Sequence, residues 1–108
     1  MQDRLKTALE RTGYPFARYG WSESPKSTTW GVYSAENGRD LAADNMHVES
    51  ATWFVVDLYT RDDGPEPRRK VERELNALRC AWRLSSVDYE NDTGYIHFKW
   101  RCALRGIY

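Results

Sequence analysis

Apolar residues in the first segment, Gln2 to Arg11, fall at Leu5, Ala8 and Leu9, one stripe of a helix with charges on its other sides. Thr12-Gly13 supplies its stop. FARYGW, Phe16 to Trp21, reads as a short extended piece, and the polar, proline-containing SESPKS that follows is a loop. From Thr28 the period changes to two. TTWGVYSA predicts a strand with Trp30 and Val32 on one face and Tyr33 on the other, and ENGRD breaks it with an Asn37-Gly38 turn signal. After LAADN, β-formers return from Met46 to Thr60, enough for a long or bent strand.

DDGPEPRRKVERELNALRCA returns to the helical period, with Val71, Leu75 and Leu78 at i, i+4 and i+7. Pro65 and Pro67 are tolerable only in a first turn, and Asp62, Asp63 and Glu66 suit a helix N-terminus. Arg69, Lys70, Glu72, Arg73, Glu74 and Arg79 are most simply its solvated face. The tail predicts two strands around the turn-forming ENDTG. In the second, Ile96, Phe98, Trp100, Cys102 and Leu104 form an apolar face, alternating with Tyr95, His97, Lys99, Arg101 and Arg105 on a wet, basic one. The expected fold is a single α+β domain over residues 1–108: two layers, a mainly antiparallel sheet of about four strands with two helices on one face.

Composition changes this picture in three places. Sixteen Lys and Arg balance sixteen Asp and Glu, so there is no basic excess of the kind that marks phosphate-backbone binding. Five Trp and seven Tyr are more than a core of this size readily absorbs, which places some of them on a partner-facing surface. Cys80 and Cys102 belong to no CxxC or Cys/His pattern and read as buried free thiols. No stretch has the length or character of a membrane span or a signal h-region, so a soluble chain made in the cytosol is the expectation.

Candidate chemistry centres on TWFVVDLYTRDD, where Asp57 interrupts a run of β-formers. With a period of two, Phe54, Val56, Leu58 and Thr60 share the core face, and Asp57 joins Trp53, Val55 and Tyr59 on the opposite one. Left bare, that second face would be an apolar strip of the kind that contacts another chain. An enzymatic alternative is a small metal-dependent nuclease. Asp44, Glu49, Asp57, Asp62 and Asp63 cluster in sequence, and His97-Phe98-Lys99 faintly resembles the acid-x-lysine half of a restriction-like site, with histidine in the place of the acid. His47 and His97 lack ligand spacing, and there is no GxGxxG, P-loop or GxSxG, so neither a metal nor any other cofactor is expected. A binding alternative is a single-strand nucleic-acid module on the Tyr95, Lys99, Arg101 and Arg105 face.

The order of signals carries a further reading. An early helix ending in TGYP, a Trp-containing segment, WGVY, AADN, VVDLYTRDD leading into a charged helix, and a closing hairpin succeed one another along nearly the whole chain. Pro15, Tyr33, Ala43-Asp44-Asn45, Asp57-Leu58-Tyr59-Thr60, Val71 and Leu75 carry the likeness. In these the chain resembles the tail-completion proteins of long-tailed bacteriophages, also called tail terminator or tail-to-head joining proteins. It departs from them in the proline-rich GPEPRR helix entry and the basic YIHFKWRCALR hairpin strand.

The resemblance implies a structural virion protein without catalysis: an α+β subunit of a homo-oligomeric ring, typically a hexamer, that ends tail-tube growth and offers a surface to the head connector. Its implied partners are therefore itself, the tail-tube protein and the connector or head-completion protein. DNA would be only cargo through the ring, and no membrane is involved. Its implied location is the head-proximal end of the tail, after synthesis in the host cytoplasm. Asp44, Asn45, Asp57 and Tyr59 match the family pattern, and Trp53 joins them as a candidate subunit contact. Surplus aromatic surface, at Trp21, Trp30, Trp53 and Tyr59, suits the two complementary patches that a ring subunit must bury.

Overall fold

Alternation of half-buried and buried residues runs from Trp53 to Thr60 in the central strand and decides which side of the sheet faces the helices. The computed structural model describes residues 3–18, 28–35 and 51–105. In chain order its elements are α1 (Asp3–Glu10), β1 (Phe16–Arg18), β2 (Thr29–Ala35), β3 (Ala51–Thr60), α2 (Glu66–Ala77), β4 (Ala81–Tyr89) and β5 (Ile96–Arg105). The strands form one five-stranded sheet in the order β1-β2-β3-β5-β4. β1 runs parallel to β2, and every other neighbouring pair is antiparallel.

The fold is α+β, as the pattern predicts, but among the described residues the sheet is mixed and has one strand more than the expected four. The extra strand comes from the FARYGW segment. Three residues are too few to show a period, and their pairing, Phe16 with Gly31 through Arg18 with Tyr33, depends on a strand more than ten residues away. The Asn37-Gly38 turn, LAADN, Met46 to Ser50, SESPKS and Trp21 lie outside the described residues.

Phe54, Val56, Leu58 and Thr60 are buried, as the period of two requires, and the residues opposite them in β5 are Cys102, Trp100, Phe98 and Ile96. Leu5 and Leu9 of α1 and Val71 and Leu75 of α2 join this face in one core cluster. Each such side chain, taken fully out of water, contributes about 1.5–3 kcal/mol before conformational entropy is counted. Among the described residues the indole of Trp100 is the largest side chain wholly enclosed. Its Nε1 donates to Glu72 Oε2 at 3.0 Å, and the same oxygen accepts from Arg68 Nε at 2.8 Å. Glu72 therefore does not belong to a solvated face: it is the polar lid over the core tryptophan.

Local chemistry ends α1 where Thr12-Gly13 predicts, and it ends α2 at a residue that carries no stop signal in the sequence. Gly13, at φ 87°, follows α1, and Thr12 Oγ1 both donates to Leu9 O at 2.6 Å and accepts from Tyr14 N at 3.2 Å. α2 begins after Pro65, with Pro67 buried in its first turn. It closes through Cys80 N to Leu75 O at 3.3 Å and Arg79 N to Asn76 O at 2.9 Å, the paired bonds of a Schellman motif. That motif puts Arg79 at φ 61°, a place usually taken by glycine.

Cys80 and Cys102 are free and buried, as expected. A hydrogen bond between the thiols pushes the pKa of Cys102 up, and burial pushes it further, so Cys102 stays a thiol; the same bond favours the Cys80 thiolate. Among the described residues no helix is long and apolar enough to cross a membrane.

Candidate functional site

The sheet face turned away from the helices holds the candidate chemistry. Asp57 stands in the middle of β3, opposite Val32 of β2 on one side and Lys99 of β5 on the other. Its carboxylate turns to the diagonal neighbour rather than to the lysine: Oδ1 lies 2.7 Å from His97 Nε2, with both side chains largely covered at 13% and 18% exposure. With Asp57 ionised, Nε2 is the protonated ring nitrogen and donates this bond.

Sheet register explains what surrounds the pair. Trp30, Tyr59 and His97 occupy directly opposed positions on β2, β3 and β5, so their side chains rise together from one face. The rings stack in a row. Trp30 and Tyr59 have centroids 4.4 Å apart, and Tyr59 and His97 4.3 Å apart, both pairs tilted by only 13°. Tyr95 meets the row edge-on, 6.1 Å from Trp30 and 6.4 Å from Tyr59, and Arg61 covers the Tyr95 ring at 4.4 Å. At the other end of the face, the Arg101 guanidinium lies 5.5 Å from the Trp53 ring. Trp53, Ala81, Trp82, Arg83 and Arg101 line an open depression of about 310 Å³ there. The indole N–H groups of Trp30 and Trp53 are covered and lack a hydrogen-bond partner among the described residues.

Of the five candidate contact residues, the structure brings Trp53, Asp57 and Tyr59 to this face, while Asp44 and Asn45 lie outside the described residues. The convergence that a two-metal nuclease needs is not found among the described residues, where no three His, Cys, Asp or Glu side chains could hold one ion. Asp62 and Asp63 are exposed in the turn before α2, where Asp62 Oδ1 accepts from Gly64 N at 2.9 Å; Glu49 and His47 lie outside the described residues. The face expected to be wet and basic also differs. Tyr95 is 8% exposed and enclosed by the ring row and Arg61, so its ring is not open for a base to stack on. Lys99 and Arg101 are half-buried because the neighbouring strand supplies Asp57, Val55 and Trp53 alongside them.

The ring row itself is not visible along the chain. Its only signal there is Trp30 and Tyr59 in strands of matching phase, and His97 joins it because β5, not β4, lies beside β3. His97→Ala removes one stack and leaves a mostly covered carboxylate without this donor. The expected cost is about 1–3 kcal/mol, read as a lower urea midpoint with an unchanged slope. Asp57→Asn, which keeps an oxygen able to accept from Nε2, should lose less than His97→Ala.

A scan against protein-family models finds no match for this chain, and a search of curated proteins finds none either.

Proposed function

We propose that this chain is the ring-forming subunit of a phage tail-completion complex, acting by shape and contact and not by catalysis. The order of motifs from TGYP to the closing hairpin supports the family reading. The observation that carries the contact reading is the ring row of Trp30, Tyr59 and His97, with Trp53 and Arg101 beside it, on the sheet face opposite α1 and α2. Trp30, Trp53 and Tyr59 are only half-buried, and aromatic rings left partly open gain from a second surface that covers them with apolar area.

On this reading two-layer subunits close a homo-oligomeric ring, six in number, through heterologous contacts between this face and a different patch of the next copy. Asp44 and Asn45 would contribute from the segment before β3. The ring caps the tail tube, stops its growth and presents the connector with a matching surface; DNA passes through as cargo, and no cofactor takes part. Asp57 holds His97 in the row, a structural duty.

Native mass spectrometry, with and without purified tail-tube protein, tests this. Rings of six copies of the 12.7 kDa chain are expected, and Trp53→Glu should abolish them while leaving a folded subunit. A strict monomer in the presence of tube protein overturns the reading. DNA cleavage dependent on magnesium or manganese and lost in Asp57→Ala would put the nuclease in its place.

A further inference from the structure

β4 closes one side of the sheet, and among the described residues only β5 pairs with it. The strand is nine residues long, and it carries the large exposed hydrophobics Val87, at 49%, and Tyr89, at 65%. A long open edge with apolar side chains is a template for pairing with another strand. We propose that this edge binds the same edge of a second copy, antiparallel about a two-fold axis, to make one continuous sheet.

Residue pattern selects both the occupant and the register. Trp82 and Leu84 stand opposite Cys102 and Trp100 and so belong to the helix side of the sheet; Val87 and Tyr89, opposite Phe98 and Ile96, belong to it too. Arg83 and Asp88, opposite Arg101 and His97, belong to the other side. The change of phase comes from the irregularity between Leu84 and Ser86, where one extra residue enters β4. Across that insertion, a register that sets Arg83 against Asp88 of the second copy keeps every opposed pair on one side of the sheet.

In that register Trp82 meets Tyr89, Leu84 meets Val87 and Ser85 meets Ser86, each twice. The helix side becomes an apolar row joining the two cores, and the other side gains two Arg–Asp pairs. Sliding by one residue in each strand separates both charge pairs. A bulge normally protects an edge, because a regular partner strand cannot follow it. Here the partner has the same insertion at the same height, so the edge excludes other strands better than it excludes itself. This contact is isologous and stops at two copies, whereas a ring needs heterologous contacts. It therefore stands apart from the ring reading, and failure of that reading leaves it intact.

Sedimentation equilibrium and site-directed cross-linking test the proposal. A Ser85→Cys chain treated with a short bis-maleimide should give covalent dimers; Arg18→Cys, on the opposite edge of the sheet, should not. Cys80 and Cys102 are buried, and the unsubstituted chain serves as the blank. Arg83→Asp and Asp88→Arg should each weaken self-association by at least about tenfold, since each places like charges opposite twice. The double substitution Arg83→Asp/Asp88→Arg should restore it, a rescue that loss of folding cannot mimic. Equal cross-linking at positions 18 and 85, or a double variant no tighter than the singles, overturns the pairing.

Discussion

Alanine in place of Trp100 is expected to cost about 3–5 kcal/mol, a large part of the roughly 5–15 kcal/mol that holds a domain of this size together. Three losses combine at this position. The indole is fully enclosed, so the substitution opens a cavity between α2 and the sheet. It stands opposite Val56 in β3 and Leu84 in β4, so the cavity borders both strands that pair with β5. It also leaves Glu72, with its side chain 17% exposed, without the indole N–H, although Arg68 remains. Denaturant unfolding would measure the total, and two further variants divide it. Trp100→Phe keeps much of the volume and should lose about 1–2 kcal/mol. Glu72→Gln keeps an acceptor and should lose less than Glu72→Leu, which strands the buried N–H. A Trp100→Ala loss below about 1.5 kcal/mol would mean that the cluster collapses around the gap, and that the tryptophan is not its keystone.

Much of this architecture can be read along the chain, and the reason is one-sided burial. Where a strand packs helices on one face only, a slip of one residue would expose its whole apolar set, so Phe54 to Thr60 and Ile96 to Leu104 show their phase plainly. The end of α1 and the start of α2 are equally visible, because Gly13, Pro65 and Pro67 act through their own backbones, whereas Arg79 gives no such mark of where α2 ends. Strand order is different in kind. That β5 inserts between β3 and β4 is a tertiary choice, and with it come the Tyr59–His97 stack and the Asp57–His97 bond across forty residues. From the chain, Asp57 reads as a suspicious carboxylate; beside His97 it is a tethering one. Glu72 is hidden for a similar reason, since nothing in a run of mixed helix charges marks the one that lies over an indole.

Gly31→Ala should be the most damaging small substitution, costing about 2–3 kcal/mol or more, and the cause is lack of space. Gly31 is not at a positive φ, so alanine could adopt its backbone without strain. A Cβ there would instead strike the Phe16 ring and come within 2.5 Å of the Asp57 carbonyl oxygen. The carbonyl belongs to β3 and can retreat only if β2 and β3 part; the ring can retreat only by leaving the core cluster it packs against. The cheaper response is for Phe16 to swing out, and β1, three residues long and held partly by Gly31 N donating to Pro15 O at 2.9 Å, should loosen with it. Hydrogen exchange should then speed up at β1 amides before the rest of the sheet. Gly13 provides the opposite case. It has φ 87°, and nothing described lies within 4 Å of the place a Cβ would take, so Gly13→Ala incurs backbone strain alone, about 1–2 kcal/mol. Combining Gly31→Ala with Phe16→Ala identifies the clash. If the ring is the obstacle, the double variant loses clearly less than the two single losses added together; strict additivity would place the strain between β2 and β3 instead.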